Sequence, residues 1–190
     1  MKILMKSNVM KRFMLTSCVL IALACSLNSC VRPQEKLQKQ IEGAEMELSL
    51  ADNAIPSVER SDSLITMYMQ YADQYKDDTL SPVYIFKSAE LYMKTGRYQM
   101  AIDHFGKVQR YKGFRKIGEA MFLKGFIADS QLGDTARARQ YYQEFVQAFP
   151  GHEFADDAQH LIENLDLTAD ELIRKLQSSE TNDSLLMTNH

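Results

Sequence analysis

The chain has 190 residues, with 22 Lys plus Arg against 25 Asp plus Glu. The segment 1–29 contributes four of the basic residues and none of the acidic ones, so the body that follows it, Cys30–His190, carries a formal charge of −7. This acidic balance excludes nucleic acid as the main partner, because affinity for phosphate backbones requires clustered, uncompensated Lys and Arg. The body has the length of one domain.

The three cysteines, Cys18, Cys25 and Cys30, all lie within the segment 1–29 or directly after it. Beyond Cys30 the body therefore has no disulfide framework, no Cys-ligated metal site and no cysteine nucleophile. It also contains no glycine-rich phosphate loop and no serine in a nucleophile elbow. From these patterns we expect neither a cofactor nor a small-molecule substrate.

The N-terminal segment has the three-part layout of a secretory signal. Four basic residues precede an apolar run at residues 13–27, and small residues then lead to Cys30. Fifteen helical residues span only about 22 Å, less than the ~30 Å hydrocarbon core of a bilayer, so a permanent membrane span is not expected. We predict a signal peptide over residues 1–29.

The sequence Leu27-Asn28-Ser29-Cys30 resembles the lipobox of bacterial lipoproteins, in which the chain is cleaved just before a cysteine that then carries lipid. The resemblance implies lipidation of Cys30, with residues 30–36 as attachment point and spacer. Cys25 is an alternative lipid site, and an ordinary cleaved signal is another possibility. Val31 replaces the Asp that retains such proteins at the inner membrane, which implies the outer membrane.

Beyond Gln34, apolar residues recur at helical spacing and show no sustained strand alternation. The apolar stripes superpose when the sequence is shifted by 37 residues, and Gly96 then aligns with Gly133. The aligned sets are Leu64, Ala101 and Ala138; Tyr68, Phe105 and Tyr142; and Tyr71, Val108 and Phe145. A period of this length predicts an all-α fold, a short right-handed solenoid of helical hairpins.

The repeat resembles the tetratricopeptide repeat, whose usual length is about 34 residues. Matching residues in the first clear unit are Ala89, Tyr92, Gly96, Ala101, Phe105 and Val108, and those in the second are Gly133, Ala138, Tyr142, Phe145 and Pro150. In the second unit Phe126 stands where a small residue is expected, and a one-residue offset would use Gly125 instead. The resemblance covers about residues 57–164 of a helical domain predicted over 37–177. We expect the polar tail, residues 178–190, to be disordered.

Tetratricopeptide arrays bind peptides in a concave groove lined by the first helix of each unit, and the resemblance implies such a groove here. The corresponding residues are Val83, Phe86, Glu90, Met93 and Lys94 in one unit and Ala120, Leu123, Ile127, Ser130 and Gln131 in the next. Phe86, Leu123 and Ile127 could equally be core residues. Members that clamp a chaperone's terminal carboxylate carry Lys and Asn where this chain has Phe86 and Glu90, so that subtype is not expected.

Two charged clusters have competing interpretations. His152, Glu153 and His160 are spaced somewhat like the ligands and base of a zinc hydrolase, but Glu153 is also an acid of the kind favoured near a helix N-terminus. Five basic residues lie within ten positions, at Lys107, Arg110, Lys112, Arg115 and Lys116. They could meet anionic lipid or an acidic partner, or form a solvated face. His104, alone on a helix, is expected to be solvated.

Together these patterns favour a non-enzymatic protein-binding scaffold, anchored by lipid to the outer membrane on its periplasmic side. The chain is similar to tetratricopeptide lipoproteins of the bacterial outer membrane, such as the tetratricopeptide subunit of the β-barrel assembly machinery. The expected partner is an envelope protein or peptide segment. A coordinator of the Tol-Pal type is an alternative, and a metal-dependent hydrolase is a remote one.

Overall fold

The computed structural model describes residues 32–50, 57–168, 170, 171, 173–175 and 177. The predicted signal peptide, Cys30 and the tail at 178–190 lie outside this part of the chain. The described residues form no strand, and their helices are α1 (Pro33–Leu50), α2 (Val58–Gln74), α3 (Leu80–Lys94), α4 (Tyr98–Val108), α5 (Ile117–Ser130), α6 (Thr135–Ala148) and α7 (Ala155–Asn164), with further helical residues between 170 and 177. Not one of these helices is both long and apolar enough to cross a membrane.

The chain divides into two units within α1. The first unit, Met1–Gln40, is described over residues 32–40, which include the beginning of α1. This helix begins at Pro33, so residues 33–36, predicted as part of a spacer, form its first turn. Proline is well tolerated there because the N–H that it lacks would have no partner inside the helix. The second unit, Ile41–His190, contains the repeats.

The second unit is packed with the period of 37 residues that the sequence predicts. The aligned apolar residues of α2, α4 and α6 are all at most 3% exposed: Leu64, Tyr68, Tyr71, Ala101, Phe105, Val108, Ala138, Tyr142 and Phe145. From α2 to α7, each helix packs mainly on its neighbours in chain order. The prediction of an all-α repeat solenoid is therefore confirmed, since each hairpin buries its apolar face against the next one.

The hairpin turns use glycine where the backbone enters the left-handed region. Gly96, between α3 and α4, has φ of 74°, and Gly133, between α5 and α6, has φ of 61°. Side chains other than glycine are disfavoured at such angles. The first turn has three residues between its helices and the second has four. Consequently α5 ends only 36 residues after α3, although α6 begins 37 residues after α4.

This extra turn residue decides the register of α5. Gly125 is buried, and a Cβ added to it would lie 2.5 Å from Cδ1 of the Tyr142 ring. Phe126 is 41% exposed. Gly125 therefore takes the small-residue position that Ala89 occupies in α3. The second repeat unit thus uses Gly125 at this position, the one-residue offset, and not Phe126.

A buried polar chain joins α3 to α4 and corrects the expectation that His104 is solvated. His104 is 4% exposed, with Nδ1 2.6 Å from Ser88 Oγ and Nε2 2.8 Å from Lys107 Nζ. Because an ammonium group can only donate, Nε2 accepts and Nδ1 carries the proton of a neutral ring. Ser88 Oγ in turn donates to the Ile85 carbonyl at 2.6 Å. Burial, and then the charge of Lys107, lowers the pKa of His104 to about 4.

We predict that Gly125→Ala destabilises the domain, by about 1–3 kcal/mol, because the new methyl group overlaps the Tyr142 ring. Gly106→Ala is the matched control, since Gly106 lies inside α4 and an added Cβ there would have no neighbour within 4 Å. That variant should gain up to about 1 kcal/mol from the better helix propensity of alanine. Urea unfolding followed by circular dichroism measures both. Equal shifts in the same direction would refute the proposed register.

The buried histidine also predicts a pH dependence. Its pKa is about 4 in the folded chain and 6.5 when unperturbed, so on acidification the unfolded chain takes up a proton before the folded chain does. The free energy of unfolding should therefore fall by about 2 kcal/mol between pH 7 and pH 5 through this group alone. Urea titrations over this range should show a shallower slope for His104→Gln. An unchanged slope would mean that His104 already titrates normally in the folded state.

Candidate protein-binding surface

The α3 and α5 helices present matching faces that the core does not cover. Positions spaced i, i+4, i+7 and i+11 share one side of a helix. Each such position on α3 corresponds to the position 36 residues later on α5. We call the combined set the groove face: Val83, Lys87, Glu90 and Lys94 on α3, and Glu119, Leu123, Phe126 and Ser130 on α5. All eight residues are half-buried or exposed.

The structure places the sequence-predicted groove residues in two different environments. Seven of them are half-buried or exposed: Val83, Glu90, Met93, Lys94, Leu123, Ser130 and Gln131. The other three, Phe86, Ala120 and Ile127, are at most 2% exposed and belong to the core. A partner cannot reach those side chains, so they are removed from the predicted surface. Whether the remaining residues bind a partner stays a prediction.

The core positions have a simple physical origin. The Phe86 ring packs edge-on against Phe105 of α4, with centroids 5.2 Å apart, so it points into the α3–α4 hairpin. A shift of 37 residues from Glu90 places Ile127 in the groove. In the structure the offset between α3 and α5 is 36 residues, which aligns Ile127 with Leu91, and Leu91 is also buried. A one-residue error rotates a helix position by about 100°, which exchanges a surface residue for a core residue.

Phe126, Lys87 and Glu119 are the members of the groove face that the sequence reasoning missed. Phe126 carried a usable signal, because it breaks the small-residue pattern of the repeat. A large aromatic side chain that cannot fit the core position must lie elsewhere, and here it is 41% exposed. It gives the groove face an apolar centre beside Leu123, which also packs against the core cluster.

Charged groups from both helices act on Glu90. Burial raises the pKa of this carboxyl group, whereas the charges of Lys116, Lys94 and Lys87 oppose that rise and Glu119 adds to it. Lys116, just before α5, pairs with Glu119 at 3.1 Å, and its Nζ lies 4.3 Å from the centroid of the Phe86 ring. No ion pair within 4 Å is recorded for Glu90 among the described residues.

Glu45, near the end of α1, positions one of the groove-face lysines. Its Oε1 accepts from the Tyr68 hydroxyl at 2.7 Å and from Lys87 Nζ at 2.8 Å. Burial and the Glu45 carboxylate both raise the pKa of Tyr68, so this hydroxyl remains protonated and continues to donate. The end of α1 thus restrains Lys87 through an ion pair with Glu45. Among the described residues, no other groove-face residue forms an ion pair with a different helix of this unit.

Apolar residues of the groove face are flanked by charge of both signs. Val83, Leu123 and Phe126 supply the apolar area, and basic and acidic side chains surround it. Protein interfaces commonly combine an apolar centre with a polar rim, and an amphipathic helix or extended segment can place its apolar side on such a centre. The arrangement can bind a peptide segment but contains no nucleophile with an adjacent general base.

The cluster suggested for a metal hydrolase has a structural role at His152. Helix α7 begins at Ala155, so His152 lies in the preceding turn and does not share a helical face with His160. The Nδ1 atom of His152 accepts from the Phe154 N–H at 3.2 Å, and its ring packs 5.3 Å from that of Phe145. A Cβ added to Gly118 would lie 2.6 Å from this ring, so His152 fills the space above that glycine.

His160, in contrast, is largely exposed and lies 3.9 Å from Glu163. Within the described chain, no three His, Cys, Asp or Glu side chains are grouped closely enough to hold a metal ion. The metal-hydrolase alternative therefore gains no support from the arrangement of these residues.

Comparison with known proteins supports the repeat assignment. Residues 119–152 match a family model described as a tetratricopeptide repeat. The matched segment runs from Glu119 in α5 through α6 to His152, and so covers all of α6 and all but the first two residues of α5. A comparison with proteins of curated function found no match. The fold and the match together support a tetratricopeptide-repeat protein, a type of array that commonly serves to bind other proteins.

Proposed function

We propose that the chain is a non-enzymatic adaptor that holds an envelope protein at the bacterial outer membrane. The observation that carries the binding part is the groove face, where a 41% exposed phenylalanine lies on a rigid helix among charged side chains. Isolated exposed apolar residues are common on proteins. Phe126 differs because it shares one side of α5 with Leu123, on the face that repeat arrays of this type offer to partners.

The membrane part of the proposal rests on the sequence. A basic segment, an apolar run and the lipobox-like Leu27-Asn28-Ser29-Cys30 precede the helical domain. Each buried methylene of a lipid chain contributes about 0.8 kcal/mol, so two or more acyl chains on Cys30 would attach the protein stably. Val31 and the resemblance to tetratricopeptide lipoproteins favour the outer membrane and its periplasmic side. In this position the domain would recruit a partner engaged in envelope or outer-membrane protein assembly.

We predict that Phe126→Asp removes the partner that co-purifies with the wild-type chain from detergent-solubilised envelope. The introduced aspartate would place an unpaired carboxylate in the apolar centre of the interface. An exposed substitution should change the free energy of unfolding by only about 0.5 kcal/mol, so the melting curve should be nearly unchanged. Quantitative mass spectrometry of the bound proteins measures the loss.

Met100→Asp is the matched control for that variant. Met100 lies on α4 and is 43% exposed, almost as much as Phe126, but it is outside the groove face. The control should retain the partner. Retention by both variants, or loss from both, would reject the groove face as the binding surface.

The proposed anchor gives a separate prediction. In cells labelled with a clickable palmitate analogue, the wild-type protein should carry label and Cys30→Ala should lose it, because the acyl chains require that thiol. Cys25→Ala should keep the label. Label that persists in Cys30→Ala and disappears in Cys25→Ala would move the anchor to Cys25, and an unlabelled wild-type protein would contradict the lipid anchor.

A further inference from the structure

A recess lies between the α2–α3 connection, residues 75–79, and the α4–α5 connection, residues 109–116. Its volume is about 590 Å³, and its walls include Lys76, Pro82, Tyr111, Lys112, Phe114 and Arg115. A smaller recess of about 350 Å³ shares Lys76 and Tyr111 with it and adds Lys107 and Arg110. Volumes of roughly 300–1,000 Å³ are typical of ligand sites.

The walls of the recess are held by packing and backbone hydrogen bonds. Phe114 and Tyr111 both pack against the core cluster, and Phe114 lies edge-on to the Phe86 ring at 6.4 Å. The Phe114 N–H donates to the Tyr111 carbonyl at 3.1 Å. Gly113, between Lys112 and Phe114, has φ of 88°, which glycine adopts readily. The α4–α5 connection is therefore a shaped surface with an apolar floor.

Basic side chains outnumber acidic ones around the two recesses. Five basic residues line them, Lys76, Lys107, Arg110, Lys112 and Arg115, against Asp73, Asp77 and Asp78. Asp78 is engaged in accepting from the Leu80 N–H at 2.8 Å, at the start of α3. Asp73 and Asp77 lie near Tyr111, and after burial they are the main groups that raise its pKa.

Four of these cations form no ion pair with the described residues. Lys76, Arg110, Lys112 and Arg115 are exposed. None of the four forms an ion pair within 4 Å with another residue that the structure describes. Their charges are thus available to a ligand, whereas Lys107 is committed to His104 and Lys116 to Glu119.

The repeat architecture shows that the fold does not require these charges. Residues 109–116 contain four basic residues, whereas the connections of the same kind at 75–79 and 149–154 contain one and none. The residues 37 positions before Arg110, Lys112 and Arg115 are Asp73, Tyr75 and Asp78, and those 37 positions after them are Gln147, Phe149 and His152. Neighbouring hairpins fold with neutral or acidic residues at these positions, so the packing of the hairpin does not require the basic cluster.

We propose that this recess binds an acidic peptide segment of a protein partner, with an apolar side chain against Tyr111 and Phe114 and carboxylates opposite Lys76, Lys112 and Arg115. The recess shares no residue with the groove face, and the inference does not depend on the proposed function. A peptide fits better than a bilayer, because the apolar floor lies inside a recess that a side chain can enter and a flat membrane surface cannot. The chain would then hold two partner segments on different surfaces.

The test uses the full chain and a fluorescein-labelled probe peptide with one phenylalanine between two runs of glutamate. Fluorescence anisotropy at low salt should show binding that weakens as salt screens the charges. The variant K112E/R115E should raise the Kd at least about tenfold, since both reversed charges then repel the peptide. Circular dichroism should confirm an unchanged fold, because both side chains are exposed in a connection.

The matched control is R60E/R174E, which changes the net charge equally at two exposed residues outside both recesses. This control should bind the probe like wild type. Phe126→Asp should also bind it like wild type, because Phe126 belongs to the groove face and not to the recess. Absence of probe binding overturns the proposal, as does equal weakening by both double variants or unchanged binding of a glutamine version of the peptide. Binding to phosphatidylglycerol vesicles but not to the peptide would overturn it in favour of a membrane site.

Discussion

The backbone of α5 lies against the Tyr142 ring at Gly125, where even a Cβ would lie 2.5 Å from a ring carbon. This contact sets the rotation of α5 about its own axis and the distance between the two helices of the hairpin. Successive residues of a helix are rotated by about 100°, so with Gly125 inward Phe126 falls on the side of α5 that corresponds to Glu90 of α3. The exposed phenylalanine of the groove face is thus a consequence of how one glycine is packed.

The other hairpin surfaces divide in the same way between core and exterior. α2, α4 and α6 bury their aligned apolar residues almost completely, while α3 and α5 keep a charged and partly apolar face. The buried His104 ring is paired through its two nitrogens with Ser88 and Lys107. The Tyr142 hydroxyl, in contrast, is buried without a hydrogen-bond partner among the described residues. Lys87 and Lys116 form ion pairs with Glu45 and Glu119. Arg110, Lys112 and Arg115 form no ion pair with a residue that the structure describes, so their charges can act on a partner.

Patterns that repeat were predictable from sequence, and departures from the repeat were not. The nine aligned core residues and the turn glycines follow the period directly. The extra residue before α6 could not be read from apolar spacing, so Ile127 was assigned to the groove. His104 looked solvated because its partner Ser88 is 16 residues away in sequence. Part of the groove was therefore predicted, but Phe126 required the structure.

If the groove face binds the partner, α3 and α5 face that partner and α4 and α6 do not. Photo-crosslinking in intact membranes tests it directly, with benzoylphenylalanine placed singly at Lys94 and Phe126 or at the exposed Met100 and Gln140 of the other helices. We expect one common adduct from positions 94 and 126 and none from positions 100 and 140. Adducts from 100 and 140 without any from 94 and 126 would contradict it.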